Sequence, residues 1–388
     1  MKLNVGVLFG GNSVEHEVSI ISASQAMAAF DSERYHVVPL YLSKDNQLYS
    51  GSQLLDVKQF KDLDAIKKKV PQVTLYKEKQ NIFVQSVKAF PWQKAQRIDV
   101  VVPVVHGTHC EDGSVQGYLE TMGIPYAGSD VIGAALGQDK IFMKMAFAYH
   151  DLPMVPWLYF DVKAYADDKT KQLKKIAELG YPVVVKPARL GSSVGISFVN
   201  AEDEIEDAIT TALQYDMRVI IEKAVQNLRE VNCSVLGDEL DAKASVLEEV
   251  MKYDAILSYK DKYQGSNKSK GMASTSRICP ADLDKDTTKK IQDLALESFK
   301  VLACAGVVRI DFMMDAKTNA IYINEVNTIP GSLAFYLWEK SGLRFSDLMD
   351  ALVDQAINRT RRKAKMIFSF ETNLLEGYGS KGSKGVKR

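Results

Sequence analysis

Two segments near the carboxyl end alternate between apolar and polar residues, and this pattern most narrows what the chain can fold into. Side chains of a β-strand point alternately to opposite faces, so residues 307–313 and 321–327 each predict a strand with one polar face. The polar residues 315–319 between them predict the turn of an antiparallel hairpin. The resulting register places Asp311 opposite Glu325. One hairpin face then carries Arg309, Asp311 and Met313 from the first strand, and Ile321, Ile323, Glu325 and Asn327 from the second.

The opposed carboxylates on this face need an explanation, because like charges directly across a strand pair are destabilising unless a cation lies between them. Asp311, Glu325 and Asn327 offer hard oxygen ligands, which suit Mg²⁺ held together with substrate phosphates. Arg309 adds a fixed positive charge beside them. The alternative is an exposed face with solvated charges. Because Ile and Val surround these residues, we expect a half-buried strand pair in a magnesium-dependent enzyme that handles phosphates.

Length and composition restrict the class of protein. A chain of 388 residues exceeds a comfortable single core, so two or three domains are expected. Its 49 Lys and Arg balance 49 Asp and Glu, which argues against a nucleic-acid binder. The four cysteines lie far apart and predict reduced thiols, with neither a disulfide framework nor a zinc site. The amino-terminal apolar run is too short for a signal peptide, and none approaches the about 20 residues of a membrane span, so we expect a soluble cytoplasmic protein.

The first 130 residues predict an open α/β domain. Residues 3–9 form a candidate buried strand that leads into a glycine loop at 10–13 and then a helix to about residue 30. Further strands are predicted at 36–42 and 98–105, with helical or irregular segments between them. The glycine loop is either a ligand site at a helix amino terminus or merely a tight turn, because it lacks the full dinucleotide fingerprint.

The rest of the chain predicts two further domains and a tail. A central domain at 131–222 contains helices at 142–150, 164–179 and 202–214 and strands at 157–160, 181–187, 196–199 and 218–222. A third domain at 223–370 contains the hairpin and a long polar segment, 258–279, that predicts a lid loop. Residues 371–388 are rich in Gly, Ser and Lys and predict a disordered tail.

Several charged residues follow buried strands, where ligands of α/β proteins bind. Lys186 ends an apolar strand, and the glycine-flanked loop 191–195 after it can fold over a triphosphate, although it is not a P-loop. Lys140 lies at a domain boundary and could reach the same phosphates. Glu222 ends another strand, ahead of an extended segment that could meet an adenine edge, with Glu230 placed for a ribose. For Lys140 and both glutamates, ordinary surface charge is the alternative.

His106 also follows a buried strand, at residues 100–105. A lone histidine is more often a hydrogen-bonded structural residue. Because His106 lies at the carboxyl end of the strand, where ligands bind, we weigh a functional role and a structural role equally. The adjacent residues 109–111 combine His, Cys and Glu. No second ligand group has a useful spacing, so zinc is rejected.

Four motifs in the same order resemble those of one family. They are Gly10 to Ser19, His106-Gly107 with Glu111 to Gly117, Lys186-Pro187 with Gly191 to Gly195, and Asn324 to Gly331. With them the chain resembles the D-alanine–D-alanine ligases, which are ATP-grasp carboxylate–amine ligases, from Gly10 to about Leu348. The resemblance implies a three-domain α/β fold with a Rossmann-like first domain.

The resemblance also implies roles for individual residues. Catalysis would involve Glu15, Ser192, Tyr263, Arg309 and the Gly331 backbone N–H, with Arg309 and Gly331 at the oxyanion and Glu15 on the ammonium group of the first substrate. Further amino-acid contacts would come from His106, Glu111, Ser332, Tyr336 and Leu337. ATP would be bound by Lys140, Lys186, Ser193, Glu222, Lys223, Ala224, Val225, Glu230 and Lys262. Asp311, Glu325 and Asn327 would hold two Mg²⁺ ions, for which Mn²⁺ could substitute.

The implied activity is ATP-dependent joining of two D-alanines through an acyl phosphate, for peptidoglycan synthesis, by a homodimer. Two departures from the family concern the second substrate: a longer lid, and Tyr336 at the approximate position of a substrate-binding serine. Ligases that make D-Ala-D-Ser or D-Ala-D-lactate are therefore alternatives, although Tyr263 favours a dipeptide product. A non-catalytic nucleotide-binding protein is disfavoured by the intact Lys186, Arg309, Asp311, Glu325 and Asn327, and a nicotinamide dehydrogenase by the incomplete glycine fingerprint.

Overall fold

The computed structural model describes residues 2–89, 94–251 and 277–369 and contains four β-sheets. The amino-terminal part comprises β1 (Leu3–Gly10), α1 (His16–Ala29), β2 (Tyr35–Leu42), β3 (Leu48–Tyr49), α2 (Leu63–Lys69), β4 (Val73–Glu78), β5 (Asn81–Ser86), β6 (Gln96–Ile98), β7 (Val100–Val105) and α3 (Ser114–Thr121). Its main sheet has the order β3-β2-β1-β7, with β1 parallel to both β2 and β7. Gly10 pairs with Val105, so β1 and β7 end side by side, and the loops that follow them meet at one edge of the sheet.

The predicted strands of this part are confirmed, but the connection between β2 and β7 is not merely helical or irregular as expected. It contains a second sheet, in which β4, β5 and β6 pair antiparallel. Val73 and Leu75 are buried while Thr74 between them is exposed, so this strand alternates with a period of two. The alternation covers only a few residues among polar ones, which is why the sequence pattern was too weak to predict a strand.

The central part comprises α4 (Val131–Gln138), α5 (Lys140–Tyr149), β8 (Trp157–Asp161), α6 (Val162–Asp167), α7 (Lys169–Leu179), β9 (Val183–Pro187), β10 (Ser197–Val199), α8 (Ile205–Leu213) and β11 (Arg218–Lys223). Its strands form an antiparallel sheet in the order β10-β9-β11-β8. The single helix predicted at 164–179 is two helices. Asp168 separates them, because its carboxylate accepts a hydrogen bond from the Lys171 N–H at 2.9 Å and caps α7.

The carboxyl-terminal part comprises β12 (Leu228–Gly237), β13 (Ala242–Val250), β14 (Arg277–Ile278), α9 (Lys285–Val301), β15 (Gly306–Asp315), β16 (Ile321–Asn327), α10 (Phe335–Lys340) and α11 (Phe345–Lys363). Five antiparallel strands form a sheet in the order β14-β13-β12-β15-β16. The hairpin of β15 and β16 and its register are confirmed, since Asp311 pairs with Glu325. A β-bulge follows directly, between Asp311 and Phe312.

The predicted lid and tail fall mostly outside the described residues. Residues 252–276 and 370–388 belong to the parts that the structure does not describe. The described end of the predicted lid, Arg277–Ile278, is the edge strand β14, which pairs with Glu249 and Val250. Across the three described ranges, no helix is both long and apolar enough to cross a membrane.

The amino-terminal sheet and the carboxyl-terminal helix α11 share one hydrophobic core. Leu348, Leu352 and Val353 of α11 are fully or almost fully buried in it. At the same boundary, the Arg359 guanidinium donates hydrogen bonds to the carbonyls of Tyr126 and Gly128, each at 2.5 Å. The amino-terminal sheet and α11 are therefore packed together, which joins the amino-terminal part of the chain to the carboxyl-terminal part.

Helix α1 offers a matched test of this core. Ile20 is 4% exposed within it, whereas the next residue, Ile21, is 52% exposed. We expect Ile20→Ala to lower the free energy of unfolding by about 2–5 kcal/mol, because it deletes buried methyl groups and leaves a cavity. Ile21→Ala has the same helix propensity and should lower it by less than about 1 kcal/mol. Urea unfolding followed by circular dichroism measures both, and equal losses would contradict the described packing.

Candidate active site

A cavity opens to solvent where the three parts of the chain meet, and the empty space in and in front of it is about 710 Å³. Its lining comes from the loops after β1 and β7, from α4 and α5, from the loop after β9 and from the β15–β16 hairpin. The lining residues are Glu15, Val18, His106, Glu111, Gly137, Gln138, Lys140, Gly191, Ser192, Arg309, Glu325, Val326, Asn327, Ile329 and Gly331. Nine of the sequence-predicted site residues are thus brought to one place: Glu15, His106, Glu111, Lys140, Ser192, Arg309, Glu325, Asn327 and Gly331.

The turn after β1 brings Glu15 to the start of α1. Gly10 and Gly11 have φ values of +94° and +96°, a region that side chains disfavour, and a Cβ at Gly11 would collide with the Cys110 sulfur. The His16 imidazole fixes this turn, with Nδ1 2.6 Å from the Gly11 carbonyl and Nε2 3.0 Å from the Tyr41 hydroxyl. The glycines therefore permit a close approach between the loops, and His16 holds the residue next to Glu15 in place.

The Glu15 carboxylate contacts both other loops at this edge. The Ser192 hydroxyl donates a hydrogen bond to Glu15 Oε1. A Cβ at Gly107 would lie 2.8 Å from Glu15 Oε2, so only glycine leaves room for the carboxylate. Ser192 and Ser193 have φ values of +56° and +59°, a left-handed conformation that is uncommon for serine. This strain at the loop after β9 directs Ser192 toward Glu15.

His106 is fully hydrogen-bonded within the protein although it lines the cavity. Its Nδ1–H donates to the Ile329 carbonyl at 2.9 Å, because a carbonyl can only accept, and Nε2 then accepts from the Ser22 hydroxyl at 3.0 Å. The Ser22 oxygen in turn accepts the Ser332 N–H at 2.9 Å. His106 therefore connects the first sheet to the segment after the hairpin, which agrees with the structural alternative for this residue.

Glu111 is buried beside His106. Its carboxylate accepts the Gly107 N–H at 3.1 Å and lies 3.7 Å from His106 Nδ1. Burial raises the pKa of Glu111, although the adjacent His106 opposes the shift. A carboxyl with a raised pKa at the cavity wall can bind a cationic group by charge or donate a hydrogen bond.

The hairpin face carries the proposed metal ligands in one compact group. Arg309 donates two hydrogen bonds to Asp311, at 2.6 and 2.7 Å, and the Asn327 amide donates to Asp311 at 3.1 Å. Glu325 lies 3.7 Å from the Lys140 ammonium. Burial raises the pKa of Asp311, and the nearby Glu325 adds to the shift while Arg309 opposes it. Two facing carboxylates are thus held by cationic side chains.

This group fits one kind of metal site. In the described parts of the chain, no three His, Cys, Asp or Glu residues cluster closely enough to hold a metal ion by themselves. Two carboxylates and one amide oxygen leave most of an octahedral shell to other ligands. Mg²⁺ is typically bound this way, by one or two carboxylates together with substrate phosphates and water, so the donor set fits Mg²⁺.

Lysines and glutamates form a second buried group beneath the cavity. The Lys186 ammonium donates to Glu222 Oε2 at 2.7 Å and to Asn324 Oδ1 at 3.1 Å, and the Lys140 ammonium donates to the Leu190 carbonyl at 2.8 Å. Burial alone would raise the pKa of Glu222, but Lys144 and Lys186 lower it to about 2. Glu222 is therefore an anion, and positive charge surrounds it.

In the segment after β11, some of the polar groups already form hydrogen bonds within the protein. The Lys223 ammonium donates to the carbonyls of Gly180 and Tyr181, each at 2.9 Å, and the Ala224 N–H donates to the Pro182 carbonyl at 3.1 Å. Val225 is half-buried, and Glu230 pairs with Met313 in the sheet. The side chain of Lys223 thus supports the chain between α7 and β9, and its backbone N–H also donates within the protein, to the Pro156 carbonyl at 2.9 Å.

The segment after Gly331 departs from the sequence expectation. Ser332, Leu333 and Ala334 form a left-handed turn with φ values of +52°, +53° and +49°. The described residues that line the cavity do not include Ser332, Tyr336 or Leu337. Ser332 and Leu337 are buried, and Tyr336 donates its hydroxyl proton to Glu248 at 2.7 Å. Of the remaining predicted residues, Lys262 and Tyr263 lie outside the described ranges.

Sequence reasoning missed two buried charged residues near the site. Lys144 is fully buried, 3.2 Å from Glu222, and its only sequence signal is its position one helical turn after Lys140. Glu248 is also fully buried, and it accepts hydrogen bonds from Asn232 at 3.0 Å, Tyr336 at 2.7 Å and Arg277 at 3.2 Å. Its partners come from distant parts of the chain, so no local pattern reveals it.

Known proteins resemble this chain over nearly its whole length. Residues 4–129 match the family described as D-ala D-ala ligase N-terminus, and residues 146–354 match D-ala D-ala ligase C-terminus. The D-alanine–D-alanine ligase of Thermosipho melanesiensis is 38% identical, covering 96% of this chain and 98% of the relative. That of Caldicellulosiruptor bescii is 39% identical, covering 95% and 99%.

Solved structures share the fold. The D-alanine-D-alanine ligase from Coxiella burnetii superposes with a TM-score of 0.78 at 29% identity, covering 94% of this chain and 96% of the other. The VanG D-Ala:D-Ser ligase from Enterococcus faecalis has a TM-score of 0.77 at 28% identity, covering 92% and 100%. The expected three-part α/β architecture of these ligases is therefore confirmed. On both family matches and full-length similarity, the chain belongs to the D-alanine–D-alanine ligase family.

Proposed function

We propose that this chain joins two D-alanines to D-alanyl-D-alanine with ATP, releasing ADP and phosphate. One observation carries the proposal: Glu15 with Ser192, Lys140, and Arg309, Glu325 and Asn327 of the hairpin face line a single cavity. An anion for an ammonium group, a cation for a phosphate and a ligand set for Mg²⁺ are what this reaction needs together. The relatives that carry the name D-alanine–D-alanine ligase support the same activity.

In the proposed mechanism the Glu15 carboxylate holds the ammonium group of the first D-alanine. Ser192 keeps Glu15 oriented, and Tyr263 is proposed to join this contact from the lid. Glu111 adds acceptor capacity to the wall beside Glu15, and His106 keeps that wall in place through its two hydrogen bonds. The first substrate is thereby oriented with its carboxylate toward the phosphate site.

The nucleotide is proposed to lie between the central sheet and the hairpin. Lys140 and Lys186 would bind its phosphates, with Ser193 and the lid residue Lys262 closing over them. The backbone from Lys223 to Val225 would meet the adenine beside Glu222, and Glu230 would bind the ribose. The family uses ATP, and a buried group of lysines beside a cavity is suited to a polyanion.

The chemistry then proceeds in two transfers. An oxygen of the D-alanine carboxylate attacks the γ-phosphorus of ATP, the bond to the ADP oxygen breaks, and an acyl phosphate forms. The amine of the second D-alanine attacks the acyl carbon, and the bond from that carbon to the phosphate oxygen breaks, so that phosphate leaves. The proton that the amine loses passes to solvent. Arg309 and Gly331 both line the cavity, and the Arg309 guanidinium and the Gly331 N–H would stabilise the tetrahedral oxyanion. Mg²⁺ held by Asp311, Glu325 and Asn327 would neutralise phosphate charge.

A second candidate activity is the joining of D-alanine to D-serine. The structural similarity to the VanG D-Ala:D-Ser ligase favours it, together with Tyr336 at the approximate position of the family's serine. D-Lactate is a third acceptor to test. We also propose three domains with boundaries near residues 130 and 222, and a homodimer, by analogy with the family.

The decisive experiment supplies ATP, Mg²⁺ and D-alanine, alone and with D-serine or D-lactate. Phosphate release is followed while mass spectrometry identifies the product. D-Ala-D-Ala from D-alanine alone supports the proposal, and preferential formation of D-Ala-D-Ser would assign the second activity instead. If no ATP-dependent phosphate release occurs with D-alanine, D-serine or D-lactate, both activities are contradicted.

Glu15→Gln tests the ammonium site. We expect the concentration of D-alanine that half-saturates the first site to rise about 100-fold, because the charge that pairs with the ammonium is lost. ATP affinity should stay the same. Glu17→Gln is the matched control, since Glu17 lies one helical position beyond His16 and is exposed on a surface pair with Lys44. Steady-state kinetics compare the two, and unchanged D-alanine saturation in Glu15→Gln would remove Glu15 from the site.

Asp311→Asn tests the metal face. We expect turnover to fall at least about 100-fold, the scale seen when a group that stabilises transition-state charge is removed. The half-maximal Mg²⁺ concentration should also rise, which a mere folding defect would not produce. Asp293→Asn, at an exposed carboxylate on α9, is the control. A variant with the original Mg²⁺ dependence would show that Asp311 is not a ligand.

A further inference from the structure

Lys144 is a fully buried lysine that the proposed mechanism does not use. It lies on α5, and its side chain has 0% exposure. Its ammonium is 3.2 Å from Glu222 Oε1, yet among the described residues neither atom has a partner in hydrogen-bonding geometry. A lysine is almost never fully buried unless it is paired, because removing an ammonium from water is strongly unfavourable. This residue therefore needs a reason to be there.

The position of Lys144 gives Glu222 two cationic neighbours. Oε2 of the carboxylate accepts from Lys186 at 2.7 Å, and Oε1 faces Lys144 at 3.2 Å. Lys186 comes from β9, Glu222 from the adjacent β11, and Lys144 from the helix that also carries Lys140. One carboxylate thus lies between two lysine side chains. Burial lowers the pKa of Lys144, while the Glu222 carboxylate opposes the shift. With Lys144 protonated, the three residues together carry a net positive charge.

We propose that Lys144 is a positioning residue of the nucleotide site, whose charge balances Glu222 so that Lys186 keeps its own positive charge for the ATP phosphates. This inference rests on the proposed function, because it concerns the same nucleotide site. Without Lys144, Lys186 and Glu222 form a neutral pair. An approaching phosphate is then attracted by Lys186 and repelled by the carboxylate beside it, so the two effects largely cancel.

The remaining contacts of Lys186 support this charge balance. Its ammonium also donates to the Asn324 amide oxygen at 3.1 Å, a neutral acceptor on β16 next to Glu325. Burial raises the pKa of Glu222, but Lys144 and Lys186 together lower it below its ordinary value, so the negative charge lies beside Lys186 while both lysines are in place. Helix α5 supplies both compensating groups, with Lys140 at the cavity and Lys144 beneath it, one turn apart. The helix therefore couples the phosphate site to the carboxylate behind it.

The alternative is that Lys144 only fills space in the interior. The two explanations differ in which part of the nucleotide is affected. Charge balance acts on the phosphates and is restored when the excess carboxylate charge is removed. A packing defect weakens the binding of adenosine and ADP alike and is not restored by a change of charge at Glu222.

The experiment uses Lys144→Met, Glu222→Gln and the double variant of the full chain. Affinities for ADP with Mg²⁺ and for adenosine are measured by calorimetry, with weak binding determined by displacement. Neither measurement requires ligation. Thermal unfolding checks that each variant is folded. Met143→Leu is the control, since Met143 is the preceding residue and equally buried, but uncharged.

We expect Lys144→Met to weaken ADP binding about 10-fold, within the range for coupled neighbours in one charged network, with adenosine binding unchanged. Glu222→Gln in the Lys144→Met background should restore the ratio of ADP to adenosine affinity to within about threefold of the original, because the network is again net positive. Met143→Leu should leave both affinities unchanged. If Lys144→Met does not fold, the double variant carries the test through the same ratio.

Two results would overturn this inference without affecting the proposed function. One is normal ADP binding by folded Lys144→Met, and the other is a loss shared by adenosine or not restored in the double variant. A double variant that folds but has a lowered ADP to adenosine ratio counts against it in the same way. Absence of ADP binding by the unchanged chain would instead overturn the proposed nucleotide site, and this inference with it.

Discussion

Compensation of buried charge is the constraint on which the site depends. Asp311 is matched by Arg309 on its own strand, and Glu222 lies between Lys144 and Lys186. Removing one partner from such a pair leaves an uncompensated charge in the interior, which is strongly destabilising. The strands and helices that carry these residues are therefore held in register by charge as well as by apolar packing. Arg309 lines the cavity directly, and so does Lys140, which lies one helical turn before Lys144.

The amino-terminal sheet contributes through its loops rather than through charged pairs. Because β1 and β7 are parallel neighbours, the turns after Gly10 and Val105 begin at the same edge. Glycine at positions 11 and 107 allows these loops to approach so closely that Glu15 reaches Ser192 of the central part. His16 and His106 hold the two loops from behind with both of their ring nitrogens. One wall of the cavity is thus built from backbone geometry and hydrogen bonds.

Local patterns explain what the sequence could predict. The hairpin register, with Asp311 opposite Glu325, follows from a period of two and a short turn, both of which are visible in the sequence. The resemblance to the ligases supplied residues such as Ser192, whose contact with Glu15 joins positions far apart in the chain. What was missed depends on tertiary packing. The sequence around Lys144 does not distinguish it from an exposed lysine. In the β4–β6 sheet, apolar and polar residues alternate over too few positions to predict a strand.

Tyr336 is the point at which family resemblance and physical geometry diverge. A serine at this position is free to donate to a substrate carboxylate, whereas the Tyr336 hydroxyl donates to Glu248, which Arg277 and Asn232 also contact. Turning Tyr336 toward the cavity would remove one donor from a fully buried carboxylate, which is unfavourable. The aromatic ring also lies against the Arg277 guanidinium, 5.3 Å from its centre. In the proposed reaction, recognition of the second amino acid therefore has to depend on groups other than Tyr336, and Arg309 and Gly331 are among the described residues that line the cavity.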